Sequence, residues 1–381
     1  MNRNLLIILV AVLAVVSLVV VGCAPEAAPP PVEEEEAPTP EEEGEEAPPA
    51  APEAKVYKWI GCQHSAPGTI LTLSAQSWAA EIAEMSDGRL VIDMLPAGAV
   101  VPAYREVQEG INEGLLDATV GNVSNLTTHM GDVAYLFSNT PGRIDPLEYM
   151  AWHNLGGGRE LIDELVSEAL PNTVYLGPFA LKGAEEFGYF RKPVTKLSDF
   201  KGLKYRSAGI WGRIASEKLK AAVVSVPGVE VYEAIDKGII DGFELSTATS
   251  NYAMGFYEIK GIINENPGVQ SSYAIESIFA NRDKWEELPD DLKSIVLHAM
   301  EAQQMRTYAA TTVEDIQARE KMREFGTEMI LLPEETIEEI ISLSEEFFEE
   351  TGQKNAQFAK VWESMDSFMS WYREGRNAFT P

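Results

Sequence analysis

The stretch Glu106-Val107-Gln108-Glu109-Gly110-Ile111-Asn112-Glu113-Gly114-Leu115-Leu116-Asp117 returns 124 residues later as Glu230-Val231-Tyr232-Glu233-Ala234-Ile235-Asp236-Lys237-Gly238-Ile239-Ile240-Asp241, with six of twelve positions identical. Each copy reads as a short helix ended by a glycine that suits the left-handed cap, Gly114 or Gly238, and then by an apolar pair that enters a strand. Chance similarity of two ordinary strand-helix-strand units is the plainer account. The favoured one is two α/β lobes of similar build, each delivering a loop to a shared cleft.

Working outward, residues 56–60 give a short strand signal. In 70–85, Leu71, Ala75, Trp78, Ile82 and Met85 recur at helical spacing, Asp87-Gly88 ends that helix, and 90–95 read as a buried strand. Between the copies, helical stretches at 146–154 and 159–170 alternate with strand signals at 174–177, 187–190, 203–206 and 222–226. That alternation makes the fold class α/β. Beyond Asn281 the chain is almost wholly helical, over 292–325 and 334–371, with room for one strand at 326–332. Such a tail fits a clamp packed across both lobes. The expected division is 55–178 with about 246–285 in lobe I, and about 179–245 with 286–381 in lobe II.

Charge excludes one class of partner. With 30 Lys+Arg against 60 Asp+Glu, the 381 residues sum to −30, whereas nucleic-acid binding needs a basic surface that displaces counterions. Residues 24–54 hold 11 Glu and 9 Pro with no basic residue, so residues 55–381, with 29 basic and 49 acidic residues, are net −20. The 23–54 segment cannot bury apolar surface and reads as a solvated tether. Before it, Met1-Asn2-Arg3-Asn4 precedes 17 residues, 5–21, whose one polar member is Ser17. These have the form of a signal peptide, and fall short of the roughly 20 apolar residues of a membrane span. Val20-Val21-Gly22-Cys23 resembles a bacterial lipobox, which implies removal of 1–22 and lipidation of Cys23. The body is then expected outside the inner membrane, as a periplasmic or cell-surface lipoprotein. Cys62 is left without an intramolecular partner, so neither a disulfide nor a thiolate zinc site is expected.

Catalytic constellations are missing. His64, His129, His153 and His298 show no metal-ligand spacing, Gly156-Gly157-Gly158 lacks the rest of a phosphate loop, and no Gly-x-Ser-x-Gly elbow occurs. A two-lobed α/β chain without such groups reads as a ligand-binding clamp that closes about a hinge. In so acidic a chain a basic residue at a strand end is the group to examine. Arg206, closing Lys201-Gly202-Leu203-Lys204-Tyr205-Arg206, can take a carboxylate bidentately, or form a surface ion pair.

Four stretches carry a family resemblance: Ile92-Asp93-Met94-Leu95-Pro96-Ala97-Gly98-Ala99-Val100-Val101-Pro102, Gly156-Gly157-Gly158 with its helix, Phe200-Lys201-Gly202-Leu203-Lys204-Tyr205-Arg206, and Gly238-Ile239-Ile240-Asp241. From about Val56 onward the chain resembles the solute-binding proteins of tripartite ATP-independent periplasmic (TRAP) transporters, of the DctP type, and most nearly their 2-oxo acid-binding branch. The resemblance implies a two-lobe periplasmic-binding-protein-like fold that passes a small organic acid anion to TRAP membrane permease subunits, with no enzymatic activity. It places the carboxylate anchor on Arg206. It places a cation on Glu244 and the backbone carbonyl of Leu245, with Glu185 standing where that branch has a glutamine. Glu185, Glu244, an anionic ligand and Arg206 sum to −2, so Ca²⁺ is expected here, with Na⁺ the alternative. Further cleft residues expected are Gln63, His64, Asn122, Asn125, Phe179 at the interlobe crossing, Gln270 and Tyr273, with Trp152 and Trp211 as an apolar wall.

The expected ligand is a 2-oxo or 2-hydroxy monocarboxylate such as pyruvate or lactate. A dicarboxylate or sugar acid would call for a second cation, Lys182 or Arg213; a ligand-sensing receptor component is the other alternative. An enzyme would need a base beside the cation, for which His64 is the one candidate. The helical stretch 334–371, bearing Phe and Trp, suits a homodimer contact.

Overall fold

The computed structural model describes residues 55–65, 69–102, 105–142 and 144–379. The expected signal peptide, Cys23 and the tether lie outside them. Eleven strands are described, in chain order β1 (Tyr57–Gln63), β2 (Leu90–Leu95), β3 (Ala118–Gly121), β4 (Thr173–Lys182), β5 (Gly188–Phe190), β6 (Lys204–Arg206), β7 (Ala222–Val224), β8 (Gly242–Phe243), β9 (Ile263–Asn266), β10 (Ala274–Asn281) and β11 (Glu328–Leu331). They form two sheets, ordered β2-β1-β3-β10-β4 and β11-β9-β5-β8-β6-β7. In the first, β1 is parallel to β2 and β3 while β10 runs antiparallel to β3 and β4. In the second, β6 is parallel to β7 and β8, and β5 is antiparallel to β8 and β9. The chain crosses between sheets at 183–187 and returns at 267–273. Because β9 pairs in the second sheet, the return comes later than the division expected near residue 246.

Both echoed helices end alike. Gly114 (φ +75°) and Gly238 (φ +69°) take the left-handed conformation. Leu115 N donates to Gly110 O and Ile239 N to Ala234 O, at 2.8 and 2.9 Å. A side chain at either φ would be strained, which is why glycine recurs at the same place in each copy.

Helix Asp290–Phe325 runs against both lobes. Its Leu292, Val296, Ala299 and Met300 join Trp78, Phe179 and Ile278 in one core, whereas Ala318 and Met322 join Tyr189, Phe243 and Phe256 in another. Polar contacts repeat the division: Gln304 donates to Pro178 O at 2.6 Å, and Asp315 Oδ1 accepts from Thr249 N and Oγ1 at 2.8 and 2.7 Å. The expected 334–371 helix is two helices, Glu334–Gly352 and Ala356–Phe379. Asn355 separates them, its Oδ1 accepting from Gln357 N and Phe358 N as a fresh N-terminal cap. Both pack on a third core through Phe347, Phe348, Phe358 and Met365. Among the described residues no helix is long and apolar enough to cross a membrane.

Candidate functional site

Side chains at the carboxyl ends of parallel strands face the crevice in open α/β folds, and here two such edges converge on the crossing segments. From the first sheet come Gln63, which ends β1, His64 beyond it, and Lys182, which ends β4. From the second come Arg206, which ends β6, and Glu244 just after β8. Glu185 lies on the crossing between them, its N–H donating to Ser271 O of the return crossing at 3.0 Å.

Arg206 and Glu244 form one unit. Nε of Arg206 donates to Val226 O at 3.2 Å and Nη1 to Glu244 O at 2.5 Å, while Nη1 lies 3.5 Å from Glu244 Oε1. Glu244 Oε1 also accepts from Ala208 N at 3.1 Å. The guanidinium is thus fixed through Nε and Nη1 by two carbonyls of its own lobe, and Nη2 makes no hydrogen bond among the described residues. Burial raises the Glu244 carboxyl despite Arg206, Ser207 and Ala208, which favour its anion.

The Glu185 carboxyl is raised too, to about 8. Burial is the main cause and the Glu244 carboxylate the second, only partly offset by Lys182, Ser271 and Arg206. A group that feels Lys182 from one lobe and Arg206 with Glu244 from the other stands between the two edges. Two like charges sharing a site, both raised, form an arrangement that a proton or a cation relieves.

On the first lobe's side, the buried Glu276 of β10 accepts from Lys182 Nζ at 3.2 Å and lies 3.0 Å from His64 Nε2. Burial would raise it, but His64 and Lys182 outweigh that and hold it down to about 2. Among the described residues no three His, Cys, Asp or Glu side chains gather as a metal centre. A cation at Glu185 and Glu244 would therefore need backbone and ligand oxygens as well. That all-oxygen set suits Ca²⁺ or Na⁺.

The remaining expected residues divide. Gln63 is wholly buried, its Oε1 accepting from Ser65 N at 2.5 Å and from Thr72 Oγ1 at 3.2 Å. Asn122 caps the turn of helix Val123–Leu126 through Ser124 N and donates to Ile275 O at 3.2 Å; Asn125 lies 3.0 Å from His64 Nδ1. Gln270 donates to Glu186 O at 2.8 Å and braces the crossing. Leu245 packs its side chain near Gly228, leaving the backbone as its polar offering. Phe179 is not at the crossing: it lies within β4, buried against Trp78 at 6.1 Å. Tyr273 is buried too, its hydroxyl donating to Leu136 O at 2.9 Å and its ring 5.0 Å from Tyr149. Trp152 and Trp211 are core residues, bonded to Ser364 and Tyr205 respectively. Arg213 pairs with Asp132 and Glu217, outside the convergence.

Comparison with known proteins agrees with this geometry. The sequence pattern of the bacterial extracellular solute-binding proteins, family 7 (DctP), matches residues 62–355. The chain belongs to that family. A monocarboxylate 2-oxoacid-binding periplasmic protein of Nostoc sp. (strain PCC 7120) is 26% identical over 303 residues, spanning 78% of this chain and 79% of the relative. A TRAP periplasmic solute-binding protein of Colwellia psychrerythraea, solved with bound calcium and pyruvate, superposes with a TM-score of 0.77 at 22% identity, over 85% of this chain and 98% of its own. One from Pseudoalteromonas atlantica, solved with sodium and pyruvate, gives 0.76 at 23%, over 85% and 97%. This DctP-family protein has their two-lobe α/β fold and is by its family an extracellular solute-binding protein rather than an enzyme.

Two residues of this DctP protein's site escaped the sequence reading: Glu276 altogether, and Lys182 except as a spare cation. The signal was there. A carboxylate inside the apolar run Ala274-Ile275-Glu276-Ser277-Ile278-Phe279 is a buried charge, and buried charges need partners.

Proposed function

We propose that this receptor captures a small 2-oxo or 2-hydroxy monocarboxylate, pyruvate- or lactate-like, between its lobes with the help of a bound Ca²⁺, and hands it to TRAP permease subunits while tethered to the membrane through lipidated Cys23. Arg206 anchors the carboxylate. Glu185 and Glu244, with the carbonyl of Leu245, would hold the cation, which would supply the positive charge that this cleft lacks. The observation that carries the reading is the shared site of Glu185 and Glu244, with the Glu185 carboxyl raised to about 8. Arg206, Lys182, Glu185, Glu244 and Glu276 sum to −1 when ionised; one monoanion and one divalent cation bring the sum to zero. A monovalent cation leaves −1, which is why Ca²⁺ is favoured over Na⁺.

The test is the melting temperature against 2-oxo acids, lactate and dicarboxylates, each with calcium, with sodium plus chelator, and with neither, since specific binding raises it by mass action. Stabilisation by a monocarboxylate with calcium alone, lost in Arg206→Ala, is the expected result. Equal stabilisation in chelator removes the calcium, and response to dicarboxylates alone removes the ligand class.

A further inference from the structure

A second cavity, of about 520 Å³ and open to solvent, is walled by Pro267 of the return crossing, by Arg319 and Arg323 of helix Asp290–Phe325, and by Met329, Ile330 and Leu331 of β11. Its volume is that of a small-molecule site. It touches Glu185 but none of Gln63, Lys182, Arg206 or Glu244, so it opens on another side of the crossings from the cleft. The charges that act most on the Glu185 carboxyl are those of Glu244, Lys182 and Arg206, which assigns that group to the cleft and leaves the two arginines as the charges of this cavity.

The two are differently placed. Arg319 has a counter-charge, with Nε 3.4 Å from the buried Glu186 Oε1, although neither atom has a hydrogen-bond partner. Arg323 has none: Nη2 reaches the sulfur of Met329 at 3.7 Å, and the guanidinium forms no ion pair among the described residues. In residues 55–381, where 49 acidic side chains face 29 basic ones, an arginine left over is notable. Alone on a surface it would simply be hydrated. Here it borders an apolar wall in which Met329 and Ile330 are half-buried and Leu331 is 79% exposed.

A cation beside an apolar wall selects its ligand from two directions. A carboxylate fits the guanidinium fork, and an apolar body covers the wall. A bare inorganic anion would leave the wall in water, whereas an uncharged apolar molecule would desolvate Arg323 and give nothing in return. We propose that this cavity is a second binding site, for an amphipathic organic anion whose carboxylate lies on Arg323 beside Arg319 and whose body covers Met329, Ile330 and Leu331. The inference is independent of what the cleft binds.

Calorimetric titration of the purified full chain with octanoate, acetate and octanamide tests it. Octanoate should bind at a single site to Arg206→Ala, whose cleft has lost its carboxylate anchor. Acetate, which lacks the body, and octanamide, which lacks the charge, should each bind at least about tenfold more weakly. Arg323→Ala and Leu331→Asp, both at exposed positions, should each weaken octanoate by at least the same factor. No octanoate binding to Arg206→Ala, unchanged affinity in Arg323→Ala, or acetate or octanamide equal to octanoate would overturn the inference. Binding lost in Arg206→Ala and kept in Arg323→Ala would overturn it too, by putting octanoate in the cleft. Should Arg206→Ala fail to fold, Arg323→Ala in the otherwise unchanged chain decides alone.

Discussion

Asp117 and Asp241, 124 residues apart, make the same pair of bonds in the two lobes. Asp117 N donates to Ile60 O at 2.8 Å and its Oδ2 accepts from Ile60 N at 2.8 Å. Asp241 N donates to Lys204 O at 2.7 Å and its Oδ2 accepts from Lys204 N at 3.1 Å. Each closes the turn after an echoed helix onto the adjoining parallel strand, β1 or β6. The echo in sequence is therefore an echo of bonding.

Alanine at either position should expose the same weakness. Both strand N–H groups lie at exposed positions where water can take up the lost bond, so Asp117→Ala and Asp241→Ala should each lower stability in urea by about 0.5–1.5 kcal/mol, with little change in slope. A null effect at one position and a full effect at the other would mean that the two turns are not equivalent.

Phe179 separates packing from binding. Buried against Trp78 in the first lobe's core, it should behave as a core residue: Phe179→Ala is expected to cost about 3–5 kcal/mol of stability, with ligand affinity unchanged in the folded protein. A large loss of affinity with little loss of stability would return Phe179 to the cleft.

Gly268 tests the crossing. A Cβ there would fall 1.4 Å from the carbonyl oxygen of Glu185, a clash with backbone that no rotamer change relieves. Gly268→Ala must therefore displace the segment bearing Glu185, and cation affinity measured by titration should fall by more than about tenfold. Wild-type cation affinity in a folded Gly268→Ala would place the cation elsewhere.

His153 gives a signed pH dependence. It is buried with Nε2 3.0 Å from the Tyr175 hydroxyl and Nδ1 2.6 Å from Asn154 Oδ1, and burial lowers it to about 4 from 6.5. The unfolded chain thus binds the proton more tightly between these values, so the contribution is present above about 6.5 and is lost as pH falls towards 4. A shift of this size corresponds to roughly 3 kcal/mol. Denaturant midpoints from pH 7 to 4 should fall less steeply in His153→Gln; parallel profiles would contradict the burial of a neutral imidazole.

Much of the fold was legible because its signals are local. The spacing of Leu71, Ala75, Trp78 and Ile82, the capping glycines Gly114 and Gly238, and the strand signals around Arg206 each report on a few consecutive residues. What was not legible depended on pairing across the chain. Nothing in 246–266 announces that β9 joins β5, and Asn355 breaks a helical pattern that periodicity alone carries through. The same holds for the site. Arg206 and Glu244 sit at strand ends that a sequence can locate, whereas Phe179 and Tyr273 face the core for reasons set by which helices cover them. Glu276 is defined by two partners, His64 and Lys182, more than 90 positions away in sequence.

Helix Asp290–Phe325 is gripped by both lobes in the same two ways. Near its start Leu292, Val296 and Met300 pack on Trp78 and Phe179, and Gln304 bonds Pro178 O; towards its end Ala318 and Met322 pack among Tyr189, Phe243 and Phe256, and Asp315 holds Thr249. Packed methyl groups lose contact steeply with distance, so neither grip is released cheaply. If the lobes part, the rod should keep its seat at both ends and take up the movement between Gln304 and Asp315. The mouth of this receptor would then work against a leaf spring clamped at both ends.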